Sequence, residues 1–152
     1  MITFHNLDSK DQTGKEMYRL IDQYSDDIDF IHTPQGVPLS SLNLFDYFNF
    51  VKNIPYRKDI RGIEVVSRPA KIINNKKVGM DCKKKSILIS AYLKNRGIPF
   101  RLIASSKRPD KRIHHVFPQM KIDGRWHNMD ATYSDYKPLE LKKVTKAEVL
   151  QK

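Results

Sequence analysis

The stretch VGMDCKKKSILISAYLKNRGIPFRL, residues 78–102, contains the only cysteine of the 152-residue chain. It predicts a helix over residues 82–96, because Gly97 suits a left-handed C-terminal cap and Pro99 blocks continuation. Apolar side chains cover most of the helix circumference, which is typical of a central, buried helix. These side chains are Ile87, Leu88, Ile89, Ala91, Tyr92 and Leu93. Cys82 is therefore predicted at the N-terminus of a buried helix.

The position of Cys82 distinguishes two kinds of thiol. A structural cysteine in apolar surroundings stays protonated, whereas a thiol at a helix N-terminus beside cations is pushed toward the thiolate. Lys83, Lys84 and Lys85 follow Cys82 directly. The position of Cys82 raises the possibility of a reactive thiol, and the rest of the chain has to decide between the two kinds.

Three strands are predicted after this helix, and the last two form a hairpin. Asp123-Gly124 is a strong signal for a two-residue hairpin turn. Pro118 cannot donate a hydrogen bond to a neighbouring strand, so the middle strand should be bulged or lie at an edge there. The predicted strands are residues 100–105, 113–122 and 125–132. Helices followed by an antiparallel sheet indicate an α+β fold.

The two-residue turn also predicts the register of the hairpin. It pairs Phe117 with Asp130 and His115 with Thr132. Side chains alternate between faces along a strand, so His115 and Asp130 share a face as diagonal neighbours. Their backbones should lie about 7–8 Å apart, within reach of an imidazole and a carboxylate that lean toward each other.

Two helices are predicted upstream. Thr13 and Glu16 have the spacing of a capping box, and apolar residues follow them at helical intervals up to Tyr24. A second helix, capped by Ser40 or Ser41, should end before Pro55. Residues 56–78 read as irregular around a short β-prone piece, and the tail from Tyr133 reads as an extended piece followed by a short helix from about Thr145.

A cysteine at a helix N-terminus that faces a His–Asp pair is the arrangement of a catalytic triad with a thiol nucleophile. Cys82 would attack, His115 would move the proton, and Asp130 would orient the imidazole. The backbone N–H groups of Cys82 and Lys83 could stabilise an oxyanion. The pattern alone also fits a buried structural cysteine near two satisfied strand histidines.

The chain also resembles the transglutaminase-like family of the papain-like cysteine-enzyme superfamily, in its short stand-alone bacterial and phage form. The resemblance covers about residues 40–135. Upstream it includes Pro55, Tyr56 and Asp59. The core motifs, in family order, are Gly79 with Cys82 (one residue wider than usual), Gly97-Ile98-Pro99, His115-Val116-Phe117, Gly124-Arg125-Trp126 and Asp130-Ala131-Thr132.

The resemblance implies a papain-like core in which a central helix carries the cysteine and an antiparallel sheet carries the histidine and aspartate. It implies Cys82 as nucleophile, His115 as general base and Asp130 as orienter, without a cofactor or metal. Tyr56 and Trp126 correspond to groups that line the substrate or oxyanion site. Two features depart from the family pattern. Lysines follow Cys82, where many relatives have acidic residues, and Pro118 interrupts the strand.

The function expected from these features is attack on a peptide or isopeptide amide through a thioester, with hydrolysis favoured over acyl transfer. A non-catalytic binding or assembly module of the same fold, for example in a phage particle, is an alternative. A basic nucleic-acid-binding protein is another. A zinc site is disfavoured because the register places His114 and His115 on opposite faces.

Composition agrees with one domain, residues 1–152, with a core over about 40–135 and an N-terminal helical extension over 10–30. The net charge of +11 and pI of about 9.7 permit attraction to acidic proteins or nucleic acid, although the lysines are scattered. The mean hydropathy is −0.58. The sequence has a single cysteine and shows no signal peptide or membrane span, which predicts a cytoplasmic protein of a bacterium or a phage-infected cell. The expected partner is a protein or peptide substrate.

Overall fold

The computed structural model describes residues 2–5, 10–58, 63–106, 108–132 and 146–152. Asp59 and the predicted extended piece after Tyr133 lie outside these residues. The described part contains four α-helices and six β-strands, in the order β1 (Ile2–His5), α1 (Lys10–Tyr24), α2 (Leu44–Lys52), β2 (Ile63–Val66), α3 (Pro69–Asn74), α4 (Cys82–Asn95), β3 (Phe100–Ser106), β4 (His115–Ile122), β5 (Arg125–Asn128) and β6 (Lys146–Val149).

Strands β3 to β6 form one antiparallel sheet in the order β5-β4-β3-β6. Strands β1 and β2 pair separately, also antiparallel. The helices precede the four-stranded sheet along the chain, and α4 packs against both β3 and β4. The α+β prediction, with a central helix packed on an antiparallel sheet, is confirmed.

Helix α4 is the centre of the fold, as its apolar circumference predicts. Residues 85–93 of this helix are all buried. Helix α2 packs beside it, where the Tyr47 hydroxyl donates to the carbonyl oxygen of Leu88 at 2.7 Å. Gly97 adopts a φ of 71° after the helix, and the Ile98 N–H bonds to the Leu93 carbonyl at 2.8 Å. This is the predicted glycine cap.

The β4–β5 hairpin has the predicted turn, because Asp123 and Gly124 adopt φ angles of 54° and 77°. The predicted register holds from Ile122 opposite Arg125 to Gln119 opposite Asn128.

The predicted strand pairs Phe117–Asp130 and His115–Thr132 are wrong, because the ladder between β4 and β5 stops before them. Pro118 supplies the physical reason. Its carbonyl accepts from the Met129 N–H at 2.9 Å, but proline has no N–H with which to complete the pair. On the other side of β4, Pro118 still lies opposite Leu102 of β3.

Several local predictions are also wrong. The cap of α2 is Asn43, whose side chain accepts from the Asp46 N–H, while Ser40 and Ser41 lie in a 3-10 turn. Helix α1 begins before Thr13. Residues predicted as irregular include α3, which begins at a proline in the first helical turn, a favoured place for proline.

The end of the chain also differs from the prediction. Residues predicted as a helix from about Thr145 form strand β6, which pairs with β3 from Ser106 to Ile103. The sheet therefore gains an edge strand from the tail. Among the described residues, no helix is long and apolar enough to span a membrane.

Candidate functional site

Cys82 is the first residue of α4, as predicted, and its side chain is buried. The preceding residue, Asp81, caps the helix by accepting the Lys84 N–H at 3.1 Å. N–H groups in the first turn of a helix have no acceptor within the helix, and the helix dipole is positive at this end. The thiol therefore lies where a negative charge is stabilised.

His115 begins β4, and its imidazole lies against Asp130, which follows β5. The Nε2 atom of His115 is 2.7 Å from Oδ2 of Asp130. The other carboxylate oxygen, Oδ1, accepts the Thr132 N–H at 3.0 Å. Both side chains are largely buried, with exposures of 6% and 12%. Because Asp130 uses Nε2, the Nδ1 atom is the ring nitrogen left to exchange a proton with a thiol.

Cys82 also contacts the imidazole, and this contact contributes to the charge state of His115. Burial alone lowers the pKa of His115, but the hydrogen bonds to Asp130 and Cys82 outweigh burial and raise its pKa to about 9. An imidazole with this pKa is protonated at pH 7. The three predicted side chains, Cys82, His115 and Asp130, therefore lie together, and the arrangement favours the imidazolium form of His115.

Tyr56 lies beside the chain that leads into α4. It forms a parallel bridge with Met80, whose N–H donates to the Pro55 carbonyl at 2.9 Å. Gly79 permits this approach, since it has a φ of 91° and a Cβ there would lie 2.8 Å from the Pro55 oxygen. Tyr56 is 41% exposed. Its bridge partner Met80 lies two residues before Cys82, and a role of Tyr56 in lining the substrate site stays a prediction.

Trp126 is half-buried. It is in β5, four residues before Asp130, which is about 13 Å of extended chain. The Arg101 guanidinium lies 4.1 Å from the centre of its ring. The role of Trp126 in lining the substrate or oxyanion site stays a prediction.

The lysines after Cys82 have different environments. Lys83 forms an ion pair with Asp81, the capping residue. Lys85 is only 2% exposed, and its Nζ donates to the backbone carbonyls of Lys52 and Thr132 at 3.1 and 3.3 Å. From the sequence, these three lysines were treated alike, as cations beside Cys82, and Lys85 was not singled out. The available signal was the position of Lys85 three residues before Leu88 on a helix that is buried nearly all round.

Other polar groups do not suggest a metal site. Within the described ranges, no group of three or more His, Cys, Asp or Glu side chains could hold a metal ion. His114 precedes His115 but is exposed to solvent, and its N–H bonds to the Ser105 carbonyl at 3.1 Å.

Comparison with known proteins gives a family and a structural neighbour. The family model of the transglutaminase-like superfamily matches residues 11–131. A crystal structure of a candidate cysteine protease from Cytophaga hutchinsonii is similar in fold, with a TM-score of 0.48 and 15% identity over 84% of this chain. The chain spans 43% of the length of that protein. The comparison with curated proteins found no match.

Proposed function

Since the chain belongs to the transglutaminase-like superfamily, we propose that it is a cysteine enzyme that attacks an amide bond through a thioester. The amide is a peptide or isopeptide bond in a protein or peptide substrate, and hydrolysis is favoured over acyl transfer. The observation that carries this proposal is the meeting of three side chains: Cys82 at the start of α4, His115 against it, and Asp130 at 2.7 Å from the imidazole.

The first half of the proposed reaction forms the thioester. The Cys82 thiolate attacks the carbonyl carbon, and the carbonyl oxygen gains the negative charge. Backbone N–H groups in the first turn of α4, those of Cys82 and Lys83, are the donors placed to stabilise this oxyanion. The C–N bond then breaks, and the His115 imidazolium gives its proton to the leaving amine.

The second half releases the acid. His115, now neutral, takes a proton from water, and the resulting hydroxide attacks the thioester carbonyl. The C–S bond breaks and the Cys82 thiolate returns beside a protonated His115. Asp130 keeps the imidazole in one orientation throughout and stabilises its cationic form.

Hydrolysis is favoured because water competes in any open site, whereas cross-linking needs a second surface that binds an amine. A mixture of peptide amides and isopeptides provides the test, with the released amine measured for wild type and for Cys82→Ala. Wild type should release amine and Cys82→Ala should not. Addition of a fluorescent primary amine distinguishes the two fates of the thioester, since incorporation of the label into peptide indicates acyl transfer.

The matched control is His114→Ala, which removes an exposed imidazole next to His115. It should retain activity, whereas His115→Ala should lose it. Amine release by Cys82→Ala equal to that of wild type would exclude the proposed mechanism. A folded wild-type protein without amidase or acyl-transfer activity would favour a non-catalytic module.

We also propose that the substrate presents acidic groups. The loop that leads into His115 carries the exposed residues Arg108, Lys111 and Arg112. Cations at this end of β4 would attract an acidic segment toward the thiol. The KM for acidic peptides should then rise with salt in wild type, and less so in Arg112→Glu. Nucleic acid that competes with these peptides would indicate that the same charges bind polyanions in general.

The proposed location is a reducing compartment such as the cytoplasm. The chemistry requires a free thiol at Cys82, and the chain has no second cysteine with which to form an internal disulfide.

A further inference from the structure

Lys85 is a buried cation without a carboxylate among its two direct hydrogen-bond partners. Its Nζ lies between the carbonyl of Lys52, the last residue of α2, and the carbonyl of Thr132, beyond β5. Taking an ammonium out of water is costly unless its surroundings compensate. The carbonyl at the end of α2 supplies part of that compensation, since the dipole of a helix is negative at its C-terminus.

The Thr132 contact connects Lys85 to the Asp130 carboxylate. The N–H of Thr132 donates to Oδ1 of Asp130, while the carbonyl of the same residue accepts from Lys85. One residue is thus held at both of its backbone polar groups. The Asp130 charge also acts directly on Lys85, favouring the ammonium form.

We propose that Lys85 is a positioning residue of the site, which fixes the segment after β5 and so holds the Asp130 carboxylate against His115. This inference rests on the proposed function, because it assigns Asp130 the role of orienter. Lys85 lies one helical turn after Cys82, so helix α4 provides the nucleophile and also anchors the segment that carries the carboxylate.

The β-sheet alone does not hold this segment. Pairing between β4 and β5 ends at Gln119 opposite Asn128, two residues before Asp130. Beyond that point the Met129 N–H bonds to the Pro118 carbonyl, and on the other side of Asp130 the Thr132 carbonyl accepts from Lys85. Asp130 lies between these two attachments.

The charge of Lys85 agrees with this role at neutral pH. Burial lowers the pKa of Lys85 to about 8, and the nearby Asp130 carboxylate opposes that effect. Lys85 is therefore mostly protonated at pH 6.5, where it has the N–H groups that both carbonyls require.

The test is the rate at which iodoacetamide alkylates Cys82 at pH 6.5 in folded protein. Lys85→Met removes the charge and the donors but keeps an unbranched apolar stem. Lys84→Met removes the same charge from the adjacent, half-buried position and is the matched control. Each variant is made in the wild-type and in the Asp130→Asn background, with folding checked by circular dichroism.

We expect Lys85→Met to slow alkylation about tenfold in the wild-type background and less than twofold in the Asp130→Asn background, because Lys85 acts through Asp130. Lys84→Met should stay within twofold of wild type. Wild-type rates in folded Lys85→Met, or equal slowing in both backgrounds, would overturn the positioning role and leave the proposed function intact.

The Asp130→Asn variant alone shows whether the proposed function itself fails. If Asp130→Asn alone reacts like wild type, the orienter role of Asp130 fails and the positioning role of Lys85 fails with it. Should Lys85→Met not fold, Lys85→Gln decides by the same criteria, since it keeps a neutral donor that is too short to bridge both carbonyls in the same way.

Discussion

Replacing Asp130 by asparagine tests the most specific feature of the site. The substitution keeps the size of the side chain and a hydrogen-bonding oxygen but removes the negative charge beside the imidazole. In the structure this charge is 2.7 Å from Nε2 of His115 and nearly buried. Charge-assisted hydrogen bonds at such distances are about twice as strong as neutral ones.

The expected magnitude follows from the pKa of His115. Burial lowers this pKa, and the bonds to Asp130 and Cys82 raise it to about 9 from the ordinary 6.5. At about 1.36 kcal/mol per pKa unit, the net effect is about 3 kcal/mol, of which Cys82 supplies a part. Removing the Asp130 share should therefore destabilise the imidazolium by roughly 1–3 kcal/mol, which lowers the ratio of imidazolium to imidazole about ten- to hundredfold.

Turnover should fall further, by about two to four orders of magnitude, because asparagine also permits the wrong tautomer of His115. At pH 9, where the His115 imidazolium contributes little to stability, Asp130→Asn should melt nearly like wild type, because the asparagine oxygen can still accept the Thr132 N–H. At pH 6.5 the variant should lose roughly the same 1–3 kcal/mol of stability that the imidazolium loses.

The assay compares alkylation of Cys82 from pH 5 to 9, amidase turnover and melting temperature for wild type, Asp130→Asn and Asp130→Ala. A catalytic role predicts slow alkylation for Asp130→Asn, with near-normal melting at pH 9. A structural role predicts normal alkylation for Asp130→Asn and a lower melting temperature for Asp130→Ala, by about 1 kcal/mol of stability. The second pattern would refute the argument for an orienting carboxylate.

Three further predictions follow from the same structure. His115→Ala should slow alkylation of Cys82 at pH 6.5 by tenfold or more, because His115 contacts both Asp130 and Cys82. His114→Ala, at an exposed position, should leave the rate within twofold, and equal slowing would contradict the assignment. The folded-state pKa of His115 is above its ordinary value, so its contribution to stability is full below pH 6.5 and is lost as pH rises toward 9. Urea denaturation should therefore give a lower free energy of unfolding at pH 8 than at pH 6.5. The difference between the two pH values should be smaller in His115→Gln. Gly79→Ala should lower the free energy of unfolding by about 1–2 kcal/mol because of the positive φ, and by more because of the contact with a backbone oxygen. Gly36 has a φ of 84° and open space, so Gly36→Ala should lose only the contribution of the positive φ. Equal melting temperatures of the two variants would contradict the close approach at Gly79.

Local patterns account for the parts of the fold that the sequence predicts well. Helix α4 was predicted to within one residue because its cap signals and apolar circumference agree. The hairpin turn followed from Asp123-Gly124, which readily adopt the positive φ angles of that turn. The predicted meeting of His115 with Asp130 followed from the hairpin register and from strand alternation.

Long-range contacts account for what the sequence did not predict. Strand β6 forms because β3 offers an unpaired edge to the tail, and a short tail segment carries no helical or strand signal strong enough to decide this. Lys85 was missed because a lysine is assigned to the surface unless buried acceptors are known, and its two acceptors are 33 and 47 residues away. Neither contact leaves a pattern in the local sequence.

The predicted hairpin register identified His115 correctly, although the pairing between β4 and β5 ends before it reaches this residue. Pro118 explains both observations. A continued ladder would have kept Asp130 opposite Phe117 and diagonal to His115, with backbones about 7–8 Å apart. Because Pro118 cannot donate to Met129, the strand pairing ends there and the chain beyond is free of the ladder geometry. Asp130 reaches the imidazole at 2.7 Å in this segment. The proline that departs from the family pattern thus stands where the carboxylate leaves the sheet, and the attachments that then fix it are the Thr132 backbone and, through it, Lys85.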